Sequence, residues 1–345
     1  MCLTEIIDRE LKRSAKAISL IESSVLLQIA EVMIKTLRAD NQIIFMGNGG
    51  SSADAEHLAA ELSGRYMMDR PALSSIALSN VASLTAIGND CSFENIFKRQ
   101  IEANCKKGDC VVALSTSGNS KNILLGIEAA KGIGAKTISF TGAGGEAKDL
   151  VDIALKIPTI ETPRVQEGYM VAGHVICGII EREMFGPKVV FVDRDDTIAP
   201  DVPYCDDPKK FNIFSYVPEA IKRLNEAGYM VIIITNQSGI GRGHFDKDTL
   251  DRIHTKMISQ VEAGGGRIDD LFYCPHRPDE NCLCRKPEIG MGEQAVRKYG
   301  ISLSRSFMIG DSDKDIEFGE RLGCKAIQVG KEVTFSDAVD EILRS

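Results

Sequence analysis

Short apolar runs alternate with longer amphipathic segments twice along this chain, and that repeated alternation is what most restricts its fold. Strand-length apolar runs separated by segments of helical spacing build parallel sheets covered by helices. In the first half the spacing predicts strands over residues 42–46, 110–114, 136–140 and 153–157, with helices around 4–20 and 24–37 ahead of them. A long helix over 163–185 closes this half. Gly186 and Pro187 then break it, because proline cannot continue a helix and glycine commonly follows one. The alternation restarts at 188–192, with further strands near 230–235, 271–273, 306–309 and 325–329. The expected fold class is α/β: two consecutive three-layer parallel-sheet domains, residues 1–186 and 187–345. No Ser-, Gly- or Pro-rich linker separates them, so they are expected to be closely apposed.

Charge and cysteine usage narrow the function classes. Lys and Arg number 41 against 49 Asp and Glu, a net charge of −8. An acidic surface argues against non-specific nucleic-acid binding, which displaces counterions with basic patches. No apolar stretch reaches the ~20 residues of a membrane helix, and acids stand where a signal peptide would be apolar. The expectation is a cytoplasmic protein without nucleic-acid or membrane partners. Ten cysteines in 345 residues are too sparse for a disulfide scaffold, so a close Cys/His cluster reads as a metal site.

Two loops in the first half carry anion-binding chemistry. Gly47-Asn48-Gly49-Gly50-Ser51-Ser52 follows a strand and precedes a helix, where small residues let backbone N–H groups approach an anion. It lacks the Lys-Ser/Thr ending of a nucleotide P-loop, and on its own it is equally a tight turn. Ser115-Thr116-Ser117-Gly118-Asn119-Ser120 offers four hydroxyls to a phosphate monoester, more than a helix cap requires. His57 and Glu61, four residues apart, share one helix face.

Together these loops resemble the sugar isomerase (SIS) fold, a flavodoxin-like or Rossmann-like arrangement. The stretch from Gly47 through His57 and Glu61 to Tyr66, with Gly88-Asn89-Asp90 and the Ser115–Ser120 loop, is similar to the phosphoheptose isomerase family over roughly residues 1–185. That resemblance implies a zinc site at His57, Glu61, Gln166 and His174; Gln is an unusual zinc ligand that chemistry alone would not nominate. It implies isomerisation of sedoheptulose 7-phosphate to D-glycero-D-manno-heptose 7-phosphate, with Glu61 and His174 as base and acid. Asn48, Gly49, Gly50, Asn89, Asp90, Ser115, Thr116, Ser117, Ser120 and Gln166 would hold the sugar and its phosphate. Tetramers with shared active sites are the family's habit, so a homotetramer through this half is expected.

In the second half, Val189-Val-Phe-Val-Asp193-Arg-Asp195-Asp196-Thr197 is a strand ending in two acids one residue apart. On an extended segment these would point oppositely, so the chain must turn there. The motif resembles the haloacid dehalogenase (HAD) superfamily. By that resemblance Asp193 attacks phosphorus and Asp195 is general acid, then base. Asp196 stands where that family usually has Gly. Thr235, Asn236, Gln237 and Ser238 would supply phosphate donors, Arg285 and Lys286 positive charge, and Asp193, Asp195 and Asp311 a magnesium site.

Cys274-Pro-His276 and Cys282-Leu-Cys284 form a C-x-H-x5-C-x-C cluster, which suits a closed structural zinc site that would pin the loop bearing Arg285 and Lys286. With Thr-Asn-Gln-Ser-Gly and Cys-Arg-Lys-Pro it is similar to the heptose bisphosphate phosphatase family. Histidinol phosphatase has a similar zinc loop, so this half alone leaves histidinol phosphate and other monoesters open. The isomerase-like partner favours heptose 1,7-bisphosphate, with Asp201, Tyr204 and Arg242 helping to select the sugar. A non-catalytic sugar-phosphate sensor is the competing class for the first half. Neither half has a kinase motif, so a separate heptose 7-phosphate kinase is implied between the two reactions.

Overall fold

The computed structural model describes residues 2–345, which divide by contacts into two compact units at Glu181/Arg182, inside the last helix of the first half. The first unit starts with α1 (Leu3–Ser19) and α2 (Ser23–Arg38), followed by β1 (Ile43–Gly47), α3 (Gly50–Ser63), β2 (Ser75–Ala77), α4 (Val81–Asp90) and α5 (Ile96–Asn104). Then come β3 (Cys110–Ser115), α6 (Lys121–Ile133), β4 (Lys136–Thr141), α7 (Ala147–Leu150), β5 (Ile153–Lys156) and α8 (Thr162–Phe185). All pairings are parallel, in the order β2-β1-β3-β4-β5. Every residue of β1 and β3 is buried, as continuous apolar runs require when helices cover both faces of a parallel sheet.

Helix α2 shows how the covering layer is encoded. Leu26, Ile29, Ala30, Met33 and Leu37 recur at three- and four-residue spacing and are all buried, while Lys35 and Arg38 fall in its last turn. Helix α6 ends where Gly134 takes φ +89°, a conformation that side chains with a Cβ disfavour.

The second unit runs β6 (Lys188–Val192), α9 (Val217–Glu226), β7 (Tyr229–Asn236), α10 (Lys247–Ala263), β8 (Asp270–Cys274) and α11 (Gly290–Tyr299). It continues with β9 (Phe307–Gly310), α12 (Asp313–Leu322), β10 (Lys325–Gln328) and α13 (Phe335–Arg344). Its parallel sheet has the order β10-β9-β6-β7-β8. Val190, Val192, Val231 and Ile233 face one core layer, and Val189, Phe191, Ile232 and Ile234 the other. This is the period-two signature of a sheet covered on both sides.

Both sheets reverse strand order beside their first strand, between β1 and β3 and between β6 and β9. Open α/β sheets place ligands at the carboxyl ends of the strands flanking such a reversal. Asn48 follows β1 and Ser115 ends β3, while Asp193 and Asp311 directly follow β6 and β9. Among the described residues no single helix is long and apolar enough to cross a membrane.

Candidate active sites of the two units

In the first unit, α3 and α8 bring three of the expected ligands together. His57 Nε2 lies 3.0 Å from His174 Nε2 and 3.1 Å from Glu61 Oε1. A tetrahedral zinc with bonds of about 2.0–2.1 Å holds its donors about 3.3 Å apart, so the three atoms fit one ion. Gln166 lies beside the phosphate-loop entrance, where a Cβ on Gly50 would collide with its amide. The His57 side chain is 47% exposed, so the site opens outward within one chain.

The two loops expected to bind phosphate are tied internally. Asn48 and Asn122 exchange amide hydrogen bonds of 2.9 Å, linking the β1 loop to α6. Ser115 Oγ accepts from Gly118 N (3.1 Å) and lies 3.4 Å from Ser120 Oγ. Ser117 Oγ accepts from Asn119 N. Gly49 (φ +54°) and Gly118 (φ +67°) supply the left-handed turns that bend these loops. Thr116 lies in the same loop. Asn89 and Asp90 bond to each other at the exposed end of α4 (2.7 Å), and no hydrogen bond joins them to the loops among the described residues.

The second unit centres on Lys286, whose Nζ lies 2.5 Å from Asp193 Oδ1 and 2.5 Å from Asp315 Oδ1. All three residues are buried. Burial pushes the Asp193 carboxyl up; Lys286 opposes this, while Asp315 and Asp195 add to it. Asp311 is raised by burial and then by Asp315. For Lys286, attraction to Asp193 and Asp315 outweighs burial, so the ammonium is held above its ordinary value. Carboxylate oxygens of Asp193, Asp311 and Asp315 converge within reach of one hard cation. A cavity of about 220 Å³ opens over them.

Asp195, expected as a magnesium ligand, borders the same cavity as this trio. The Asp195 carboxylate is not part of the trio itself; Arg194 clamps Asp195 (Nε–Oδ1 3.0 Å, Nη2–Oδ2 2.9 Å), and Gln237 Nε2 donates to Oδ2 at 3.0 Å. Asp315 is engaged by Lys286 at Oδ1 (2.5 Å) and by Ser312 N and Oγ at Oδ2 (3.1 and 2.6 Å). The turn demanded after Asp193 is made by Asp196 at φ +51°, which explains how Asp fits where glycine is usual: a short polar side chain tolerates this region. Asp196 Oδ1 also accepts from Asp201 N at 2.9 Å.

The other expected phosphatase residues border this centre. Buried Thr235 Oγ1 accepts from Gln237 Nε2 (2.9 Å), and the Asn236 amide exchanges hydrogen bonds with the backbone of Lys286 (3.1 and 3.3 Å). Ser238, Asp201 and Tyr204 line an adjoining cavity of about 280 Å³ with Asp195. Tyr204 stacks on His244 (4.1 Å between centroids), and the Arg242 guanidinium lies 6.0 Å from the same ring. Arg285 donates to the His276 carbonyl at 3.3 Å, joining the cationic loop to the Cys/His cluster.

That cluster is compact. Cys274 Sγ lies 3.5 Å from Cys282 Sγ and 3.3 Å from Cys284 Sγ, which is 3.5 Å from Cys282 Sγ. His276 Nδ1 lies 3.5 Å from Cys274 Sγ and 3.2 Å from Cys284 Sγ. Zinc–sulfur bonds of about 2.3 Å set thiolates about 3.8 Å apart, so this donor set fits one tetrahedral ion.

Comparison with known proteins agrees with this division. The SIS domain family matches residues 8–142, and a HAD-hydrolase-like family matches residues 283–343. A phosphoheptose isomerase of Clostridium acetobutylicum is 48% identical over 163 residues, 47% of this chain and 83% of the relative. The structure of a phosphoheptose isomerase from Francisella tularensis is 31% identical, with a TM-score of 0.51, over 53% of this chain and all of that one. A D,D-heptose 1,7-bisphosphate phosphatase from B. bronchiseptica, solved with magnesium and phosphate, is 30% identical over 46% of this chain and 98% of that one (TM-score 0.43). Through its first unit this chain belongs to the phosphoheptose isomerase family, and its second unit carries the match to a HAD-hydrolase-like family.

Proposed function

We propose that this bifunctional enzyme performs two non-consecutive steps on one sugar skeleton. Residues 1–186 isomerise sedoheptulose 7-phosphate to D-glycero-D-manno-heptose 7-phosphate, and residues 187–345 remove the C7 phosphate of D-glycero-D-manno-heptose 1,7-bisphosphate. The observation that carries this reading is the pairing of a His57, Glu61 and His174 cluster in the first unit with the buried Asp193 and Lys286 pair and adjoining Asp311 in the second.

In the isomerase, Glu61 takes a proton from the carbon beside the carbonyl and His174 serves the return proton to the enediol. His57, Glu61, Gln166 and His174 would hold a zinc ion, which would supply polarisation of the sugar oxygens. The loops at Asn48–Gly50 and Ser115–Ser120, with Asn89 and Asp90, hold the substrate.

In the phosphatase, Asp193 attacks phosphorus; the bond to the sugar oxygen breaks as Asp195 protonates that oxygen. Asp195 then takes a proton from the water that releases phosphate from Asp193. Lys286 neutralises charge on the nucleophile and phosphoryl group, and Thr235, Asn236, Gln237, Ser238 and Arg285 orient the substrate. Magnesium held by Asp193, Asp195 and Asp311 would supply further neutralisation. Asp201, Tyr204 and Arg242 contact the sugar, and zinc at Cys274, His276, Cys282 and Cys284 fixes the loop that delivers Arg285 and Lys286.

The working assembly in this reading is a cytoplasmic homotetramer built through the first unit. Exposed apolar side chains support it: Leu3, Ile7 and Leu11 line one side of α1, and Val171 and Val175 flank His174 on α8. A separate heptose 7-phosphate kinase supplies the second phosphate, in a route to nucleotide-activated heptose for glycans such as lipopolysaccharide. Side-by-side assays of the α and β heptose 1,7-bisphosphates and histidinol phosphate test the substrate: one bisphosphate anomer should be preferred at least tenfold. Preference for histidinol phosphate would overturn it.

A further inference from the structure

One buried ion pair in the first unit belongs to neither set of reacting groups. Arg70, on the segment after α3, and Glu181, on α8, each have a side chain only 1% exposed and meet at 2.9 Å (Nε–Oε1). Glu181 also accepts from the backbone N–H groups of Tyr66 (2.9 Å), Met67 (2.8 Å) and Met68 (3.1 Å). Burial pushes its carboxyl up, but these donors and Arg70 outweigh burial and hold it below the ordinary carboxylate range. The rest of the Arg70 guanidinium caps the end of α3, donating from Nη2 to the Glu61 carbonyl and from Nη1 to the Leu62 carbonyl, both at 2.8 Å.

Buried ion pairs add little net stability once their desolvation is counted. This one instead joins two helices that matter. Arg70 holds the helix bearing His57 and Glu61; Glu181 stands two turns beyond His174 on the other. The segment between them lays the Tyr66 ring against His174, with centroids 5.5 Å apart and planes only 14° from parallel.

We infer that Arg70, Glu181 and Tyr66 form a positioning device for the metal centre. The ion pair sets the spacing of α3 and α8, and the Tyr66 face fixes the His174 ring so that Nε2 points at His57 and Glu61. The inference rests on the metal-dependent isomerase reading. Outer residues that orient metal ligands typically account for 10–100-fold in metal affinity or activity.

The test uses the full-length chain with Tyr66→Leu, Tyr66→Phe and Glu181→Gln, measuring zinc affinity by chelator competition and steady-state isomerisation of sedoheptulose 7-phosphate. Tyr66 is half-buried, so its replacement spares the core. Tyr66→Leu should weaken zinc at the His/Glu site about tenfold and lower kcat about tenfold, with KM within about twofold. Tyr66→Phe keeps the ring and should restore both, and Glu181→Gln should behave as Tyr66→Leu. Wild-type zinc affinity in folded Tyr66→Leu, or equal damage in Tyr66→Phe, would overturn the device. A His57→Ala variant that retains every zinc of the wild type would instead overturn the metal reading beneath it.

Discussion

Lys286 holds the Asp193 carboxylate at 2.5 Å in a buried pocket, so the proposed nucleophile is paired directly with a buried ammonium. The lysine matters because burial, and then the charges of Asp315 and Asp195, raise the cost of ionising Asp193.

Lys286→Met leaves those carboxylates uncompensated. Breaking a buried pair costs about 3–5 kcal/mol, so thermal unfolding should reveal a destabilised second unit. Magnesium should recover part of that loss by taking over the missing positive charge, while phosphatase kcat falls at least about 10³-fold. A variant as stable as wild type without magnesium would contradict the buried-charge account.

The two centres should fail independently. Asp193→Asn replaces a carboxylate nucleophile with an amide and should abolish phosphatase turnover while isomerisation proceeds at the wild-type rate. Glu61→Gln should do the reverse by removing the base. Parallel assays of both activities on each folded variant check this; joint loss from either change would refute separate sites.

Cobalt loading distinguishes the two proposed zinc sites. Thiolate ligands give charge-transfer absorption that a His/Glu site lacks, so cobalt-substituted protein should show it and Cys282→Ser should reduce it. Because Arg285 donates to the His276 carbonyl, the same variant should lower phosphatase activity and leave isomerisation intact. Unchanged phosphatase activity in the metal-depleted Cys cluster would show that the loop stands without it.

His254 should make the second unit acid-sensitive. Burial and the nearby Arg194 charge push its pKa from 6.5 down to about 3. Between those values the unfolded chain binds the proton and the folded one does not, so stability is full above pH 6.5 and falls as pH drops toward 3. The slope approaches about 1.4 kcal/mol per pH unit. His254→Leu should flatten this limb in denaturation series from pH 7 to 4; an unchanged slope would place the sensitivity elsewhere.

The apolar runs that made β1, β3, β6 and β7 legible are the strands buried on both faces. Edge strand β2 has only three residues, too few to show a period, and α4 buries no residue, so it has no apolar stripe to read. Within the sites, spacing within one element exposed His57 with Glu61 and the Cys/His cluster. Asp315 lies on α12, and only the fold shows that it shares the Lys286 ammonium with Asp193. Tyr66 and His254 act on partners 108 and 60 residues away, and such pairings arise only when the sheet folds.

In the proposed function, one chain catalyses two steps that flank a phosphorylation supplied by a separate kinase. Time-resolved phosphorus NMR of the purified protein with sedoheptulose 7-phosphate tests it most directly. Alone, the protein should form heptose 7-phosphate and release almost no inorganic phosphate. With a heptose 7-phosphate kinase and ATP added, heptose 1-phosphate and free phosphate should accumulate together. Rapid phosphate release from sedoheptulose 7-phosphate without the kinase would contradict the account and mark the second unit as a general sugar phosphatase.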